Sequence, residues 1–303
     1  MANLQYPCYY GYGGKNMART KSLLRYPGGK SQLTEFVKHI LDINNLQKTY
    51  IEPFAGGAGL ALNLLFDNSI DNIVLNDRDS SIYSLWYNTL NNIDELIYKI
   101  EKTEISVEEW KRQKKVHLDK KDDPISVENA YSTLFLNRTN ISGIINGGPI
   151  GGFEQNGKYK IDCRFKKEVL IKKAREINNK KKFIQLYNLD ANEFILEKLS
   201  NYEPDDTFIF YDPPYYKQGK NLYMSFVRKD DHKKLAKNII SKNEFNWITT
   251  YDIQDEIYNL YSKQAQAYTY SLSYSANIKR RAKEYLFANP KTKIETFANV
   301  NLE

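Results

Sequence analysis

Apolar positions in this chain recur at two spacings, and the changes from one spacing to the other divide it. Short unbroken apolar runs bounded by turn residues predict buried strands at 50–52, 72–76, 183–187, 208–211, 247–251, 267–274 and 284–288. Between them the spacing is helical. Leu33, Phe36, Val37, Ile40 and Leu41 fall on one face after Ser31, a candidate cap, and Leu235, Ile239 and Ile240 do so after Asp230 and Asp231. Further helices are expected after the turn at 56–59, at 193–199 and at 254–261. From about 85 to 182 the alternation stops. Ser106 and Glu109 form a capping box before Trp110, and Val127, Ala130, Tyr131, Leu134 and Phe135 repeat a helical apolar face. Residues 136–165, rich in Gly and Asn with two short β-like runs, predict loops around a hairpin. Seven strands in this setting describe an α/β fold with an open, mostly parallel sheet. The basic loop NIKRRAK should fold the last two strands into an antiparallel hairpin. We expect an extension at 1–20, one domain built from 21–84 and 183–303, and a mainly helical domain, 85–182, inserted in it.

Two strand ends carry candidate chemistry. The first runs into EPFAGGAG, where Gly56, Gly57 and Gly59 let the main chain approach a ligand. The second ends in Asp77, about 20 residues on, where an acid commonly takes ribose hydroxyls. The turn is not the full G-x-G-x-x-G, so a nucleoside cofactor without phosphates fits as well as a dinucleotide. Gly29-Lys30-Ser31 is no triphosphate loop, because Leu24 stands where that motif needs glycine. The run FIFYDPPYY at 208–216 joins a buried strand to an acid, two prolines and two tyrosines. Each proline disfavours the helical region for the residue before it, so Asp212 and Pro213 are held extended at the end of the sheet. Rigid acceptors beside an aromatic face suit a planar molecule with an amino group. Asp212 and the Pro213 carbonyl would accept its protons while Tyr215 stacks on the ring.

Composition narrows the setting. With 41% hydrophobic and 27% charged residues, the 303-residue chain reads as soluble and globular. Glu52, Asn63 and Asp67 interrupt its most apolar run, and the N-terminus lacks the pattern of a secretory signal, so a cytoplasmic protein is expected. Two cysteines and three histidines offer no metal-ligand spacing and no disulfide framework. The net charge of +7 is uneven: residues 111–182 hold 18 Lys and Arg against 8 Asp and Glu, or +10 (18 − 8), leaving −3 (7 − 10) elsewhere. A basic block beside a neutral-to-acidic remainder is the footprint of a nucleic-acid binder.

With these residues in view, the chain resembles the Dam-type DNA adenine methyltransferases. RYPGGK at 25–30, EPFAGGAG at 52–59 and DPPY at 212–215 carry the resemblance, with support from LND at 75–77, LNRTNISG at 136–143, TYD at 250–252 and KEYLFAN at 283–289. It implies a Rossmann-like catalytic domain, S-adenosylmethionine as cofactor, double-stranded DNA as partner, no membrane and no metal. A paired restriction endonuclease is a further partner that such an enzyme can have. Cofactor contacts are expected at Tyr26, Lys30, Glu52, Phe54, Gly56, Gly57, Gly59, Asp77, Asp190 and Asp212, and catalysis at Asp212, Pro213 and Tyr215. In the basic insert, Arg138, Asn140, Lys158, Lys160 and Arg164 are the candidate DNA contacts. Two departures stand out. Tyr26 replaces a family tryptophan, and residues 147–165 match the family's DNA-reading hairpin only loosely, so a GATC target does not carry over. The reaction implied is direct methyl transfer to the amino nitrogen of an adenine turned out of the duplex. Alternatives on the same fold are RNA or cytosine-amino methylation and DNA binding without catalysis. A thiolate route to carbon 5 of cytosine would fall to Cys8, far from these motifs.

Overall fold

The structure is a computed structural model that describes residues 20–25, 30–216, 229–274 and 280–303. Seven strands form its centre: β1 (Thr49–Glu52), β2 (Asn72–Asn76), β3 (Ile184–Tyr187), β4 (Thr207–Tyr211), β5 (Asn246–Asp252), β6 (Gln266–Tyr274) and β7 (Arg280–Ala288). They lie in the order β3-β2-β1-β4-β5-β7-β6. The first five are parallel, with Ile51 opposite Val74 on one side and Ile209 on the other. Strand β7 runs antiparallel to both β5 and β6, as a terminal hairpin requires. Every one of the seven expected strands is present. Strand β4 is buried along its whole length, which is why it reads as an unbroken apolar run.

This topology selects one location for a ligand. Strands β2 and β4 leave β1 on opposite sides, so the strand order reverses at β1/β4, the switch point beyond whose carboxyl ends sheets of this kind bind ligands. The EPFAGGAG turn and the DPPY loop both emerge there. The helices α1 (Thr34–Ile43), before β1, and α2 (Gly59–Phe66), after it, pack into the apolar cluster that contains Tyr50. The helices α8 (Ala191–Glu197), α9 (Lys229–Ser241) and α10 (Asp255–Tyr261) complete the α/β repeat. Tyr50 and Ile51, adjacent in β1, belong to different apolar clusters, one on each face of the sheet.

Between β2 and β3 the chain forms α3 (Ser80–Asn91), α4 (Ile93–Lys102), α5 (Val107–Lys120), α6 (Val127–Thr139) and α7 (Lys167–Asn179). Asp79 caps α3 by accepting from the amides of Ser81 and Ile82, and Ser106 caps α5 by accepting from Glu109, as the capping box requires. Trp86, Leu134, Phe135 and Phe165 share one continuous apolar core with Phe36 and Tyr50 of the sheet domain. Helix α3 itself runs through the boundary expected at 84/85. Among the described residues no helix is long and apolar enough to cross a membrane.

Three local expectations are corrected. Residues 140–165 contain no named strand. An isolated bridge between Asn140 and Pro149, turns and a short 3-10 helix (Ile161–Arg164) stand where a hairpin was expected. The reason is local bonding: the Asn140 side chain donates to the carbonyls of Ile144 and Ile145, and Gln155 bonds the Ile150 carbonyl and the Ile161 amide, so turns replace a ladder. Ser31 lies within a 3-10 turn (Lys30–Leu33), where its carbonyl accepts from the Thr34 hydroxyl, and α1 starts without a side-chain cap. Helix α8 starts at Ala191 because Asp190 caps it through the Asn192 amide.

Candidate active site

Asp212 stands one residue past β4, and its carboxylate retains 19% exposure. Lys30, almost fully buried, brings its ammonium within 2.9 Å of Asp212 Oδ1 and 3.1 Å of Oδ2. The Thr250 hydroxyl donates to Oδ1 at 2.8 Å from β5. Burial pushes the Asp212 carboxyl upward, while Lys30 and Thr250 pull it back toward the ionised form and the charge of Glu284 opposes them. The residues around it form a second layer. Lys30 donates to the Tyr215 hydroxyl at 3.0 Å, that hydroxyl donates to Glu284 Oε1, and the Tyr270 hydroxyl donates to Glu284 Oε2 at 2.7 Å. Glu284 stands 4.0 Å from the Lys30 ammonium, so one cation serves two buried carboxylates. Five residues past β4, the Tyr216 amide donates to Asp252 at 2.9 Å.

The neighbouring strand ends are arranged around the glycine turn. Gly56 (φ +45°) and Ala58 (φ +47°) adopt left-handed conformations. The Gly56 amide donates to Asp77 Oδ2 at 2.7 Å, the Asp79 amide donates to Asp77 Oδ1 at 2.9 Å, and Trp86 Nε1 holds the Gly56 carbonyl at 2.9 Å. Burial raises Asp77 to about 7, with Asp79 adding to the rise and the two amides limiting it. Glu52, buried at the end of β1, accepts from the Tyr50 hydroxyl and the Ala61 amide on the same oxygen, both at 3.1 Å. Burial raises its carboxyl to about 8 against those two donors, and the charge of Asp212 adds to the rise. Phe54 is half-buried against the second apolar cluster.

The expected residues separate into groups. Lys30, Asp212 and Tyr215 are brought together; Gly56 and Asp77 meet beside them on β1 and β2. At Gly59 a Cβ would meet Thr20 Oγ1 at 3.0 Å and Ser31 Cβ at 3.5 Å, so the glycine also permits close packing there. Asp190 caps α8 and pairs with Arg78 at 3.3 Å. Tyr26 and Cys8 lie outside the described residues. Lys158, Lys160 and Arg164 are exposed on the insert. Arg138 and Asn140 correct the expectation of base reading. The Arg138 guanidinium donates to the Leu23 carbonyl, and Asn140, fully buried, accepts from Trp110 Nε1 at 2.5 Å while its amide bonds Ile144 and Ile145. Both are engaged in holding the fold. Glu284, Thr250 and Tyr270 were not among the expected site residues, although Thr250 and Glu284 fall within the TYD and KEYLFAN stretches. Their signal is slight: polar residues in otherwise apolar strands, with Tyr270 directly opposite Glu284 across the β6/β7 pair.

The model of the D12 class N6 adenine-specific DNA methyltransferases matches residues 26–285, from the start of the Lys30 motif into β7. The chain belongs to this family. As a D12-class enzyme it is an adenine-specific DNA methyltransferase whose substrate is DNA, and RNA or cytosine methylation and catalysis-free binding are not favoured. The Type II methyltransferase M.MjaIII of Methanocaldococcus jannaschii is 27% identical over 236 residues, covering 72% of this chain and 78% of that protein. Among solved structures, the methyltransferase resembles PH1948 of Pyrococcus horikoshii, described as a candidate RNA methyltransferase (TM-score 0.41, 9% identity, covering 88% of this chain and 87% of that one). It also resembles the rRNA methyltransferase aviRa of Streptomyces viridochromogenes (TM-score 0.37, 13% identity, covering 87% and 86%). An enzyme of this class needs a methyl donor, and Asp212 and the glycine turn leave the same edge of the sheet from the adjacent parallel strands β4 and β1.

Proposed function

We propose that the enzyme takes its methyl group from S-adenosylmethionine bound along the ends of β1 and β2, and transfers it directly to N6 of an adenine turned out of duplex DNA at Asp212. The residues fit such a nucleoside. Each Asp77 oxygen receives one main-chain amide, and a carboxylate offers about four acceptor sites, so lone pairs remain for a pair of ribose hydroxyls. A carboxyl held near 7 by burial gains most from two further donors. The left-handed turn at Gly56 and Ala58 brings main chain to the same rim, with Phe54 as an apolar neighbour. Lys30, Tyr26, Glu52, Gly57, Gly59 and Asp190 complete the proposed cofactor surroundings. When bound, the sulfonium supplies an activated methyl group.

The acceptor's amino nitrogen is a weak nucleophile because its lone pair is delocalised into the ring. Asp212, which Lys30 and Thr250 draw toward the ionised form against burial, accepts one amino proton in a hydrogen bond, and the Pro213 carbonyl accepts the other. These two acceptors favour a pyramidal nitrogen and stabilise the positive charge it acquires, which is electrostatic preorganisation. We assign stacking on the extruded base to Tyr215, whose ring is 8% exposed and lies 5.1 Å from the Lys30 ammonium. The insert, 85–182, would grip the duplex through Lys158, Lys160 and Arg164. Following the Type II relative, we extend the reading to site-specific methylation within a restriction-modification system, with an endonuclease of the same specificity as partner. The observation that carries the mechanism is a half-desolvated carboxylate at the end of β4, paired to Lys30, at the switch point of the sheet.

The test is transfer of labelled methyl groups to DNA from a methylation-free host, with mapping of the modified bases. Wild type should give N6-methyladenine at a fixed sequence. Asp212→Ala should lose at least about 100-fold in kcat, the scale for removing a transition-state hydrogen-bond partner. Full transfer by Asp212→Ala would overturn the mechanism.

A further inference from the structure

Glu284 is a buried carboxylate that the mechanism above does not use. It stands in β7, whose pairing places it opposite Asp252 of β5 on one side and Tyr270 of β6 on the other. That rung of the sheet holds two successive residues of the loop after β4. The Tyr215 hydroxyl donates to Glu284 Oε1, and the Tyr216 amide donates to Asp252 Oδ1 at 2.9 Å. The second Glu284 oxygen, Oε2, accepts from the Tyr270 hydroxyl at 2.7 Å. A hydroxyl thus fixes each oxygen of the carboxylate, and the sheet sets its orientation.

The hydrogen bonds that lead from it run in one direction. A lysine ammonium only donates, so the Tyr215 oxygen accepts from Lys30 at 3.0 Å and directs its own proton to the Glu284 carboxylate. The same ammonium lies 2.9 Å from Asp212 Oδ1 and 4.0 Å from Glu284 Oε2. Every link from Glu284 to Asp212 is a direct contact. Lysine lacks the planar fork with which arginine fixes its own geometry, and its ammonium turns on a flexible four-carbon stem. Where it points is decided by the acceptors around it. Of the two carboxylates, Asp212 keeps 19% side-chain exposure and Glu284 keeps 2%, so the drier one is the fixed anchor.

We propose that Glu284 is a positioning residue for methyl transfer: through the Tyr215 hydroxyl it holds the Lys30 ammonium against Asp212, and Tyr270 holds Glu284 in turn. The inference rests on the reading of Asp212 and Lys30 as the reacting pair. It gives the terminal hairpin a part in aligning the reacting centre. The physical basis is that misplacing a catalytic group by about 1 Å can cost about 100-fold in rate, and that hydrogen bonds to charged groups are the strong ones.

A double-mutant cycle of Glu284→Ala and Tyr215→Phe, read by the single-turnover rate of methyl transfer, tests this. Tyr215→Phe keeps the ring and removes the hydroxyl that joins Lys30 to Glu284. Glu284→Ala should lower the rate about tenfold to 100-fold, while DNA affinity by fluorescence anisotropy stays within about twofold. In the Tyr215→Phe background the same substitution should cost less than about threefold, because residues acting through one group are not additive. Glu284→Gln keeps an acceptor for the Tyr215 hydroxyl and should recover most of the rate. An unimpaired Glu284→Ala, an undiminished loss in the Tyr215→Phe background, a Glu284→Gln no better than Glu284→Ala, or DNA affinity falling in step with the rate would overturn the positioning role alone. A fully active Lys30→Met would overturn it together with the reading of Lys30. If Glu284→Ala does not fold, Tyr270→Phe enters the same cycle with the same pattern expected, and failure of both to fold makes the network structural and ends the proposal.

Discussion

At the scale of single residues, the site depends on keeping one partly buried carboxylate ionised. Asp212 is pushed toward its neutral form by burial, and Lys30, from the 3-10 turn before α1, and Thr250, from β5, oppose the push. Thr250 is fully buried, so Thr250→Val changes little in shape and removes one donor. A hydrogen bond to a charged group contributes about 1.5–3 kcal/mol, so kcat should fall roughly ten- to hundredfold. The sign of the pH effect follows from the same bond. A donor to the carboxylate favours the charged form, so its removal raises the Asp212 pKa further, and the acid limb of the kcat/KM profile should move to higher pH. An acid limb unmoved in Thr250→Val would show that the group titrating there is not Asp212. Glu284 illustrates what residue types alone conceal. Nothing in KEYLFAN distinguishes a glutamate paired to solvent from one receiving two tyrosine hydroxyls, because Tyr215 and Tyr270 arrive from distant parts of the chain.

At the scale of elements, legibility followed burial. Strand β2 occupies the expected 72–76, and β4, β5 and the terminal hairpin lie within a residue or a few of their apolar runs; β4 and β5 are buried along their whole length, and the hairpin is legible from its alternating aromatic and apolar positions. The glycine turn and Asp77 were legible for the same reason: they are fixed by the ends of those strands. The stretch 136–165 was not. Its order comes from side-chain amides bonding nearby main chain, a pattern with no periodicity, and the polarity that suggested exposed base readers at Arg138 and Asn140 is used internally. The α5/α6 pair carries a different consequence of burial. His117 on α5 is 1% exposed, and burial, with Lys114 and Lys121 nearby, lowers it to about 4 from an ordinary 6.5. Because the unfolded chain binds this proton more readily, stability is complete above 6.5 and is lost as pH falls toward 4, by about 1.4 kcal/mol per pH unit. Urea denaturation between pH 7 and 4.5 should show this slope, and His117→Gln should flatten it. An equal slope in both proteins would place the acid sensitivity elsewhere.

At the scale of the whole molecule, charge and sheet divide the labour. The carboxyl edge of the sheet carries the acids Glu52, Asp77, Asp212 and Asp252, with buried Lys30 paired to Asp212, whereas residues 111–182 carry an excess of ten positive charges (18 − 8). Such an asymmetry orients a polyanion toward the insert and away from the acidic rim, leaving the rim for the single base that is turned out. Lys158, Lys160 and Arg164 sit in exposed positions on that insert, and Arg164 is close enough to Arg25 to lower the Arg25 pKa, with burial the larger cause. Two like charges held near each other by the fold gain from a shared phosphate. Each phosphate neutralised contributes about −0.9 to the slope of log K against log salt. Replacing Lys158, Lys160 and Arg164 together by Gln should therefore reduce the magnitude of that slope by about one for each side chain that meets a phosphate, up to about three. It should weaken cognate and unrelated duplexes alike, since phosphate contacts carry no sequence information. Anisotropy titrations from 50 to 200 mM salt on both duplexes provide the measurement. An unchanged slope would remove these residues from the DNA contact, and a loss confined to the cognate duplex would make them readers of bases.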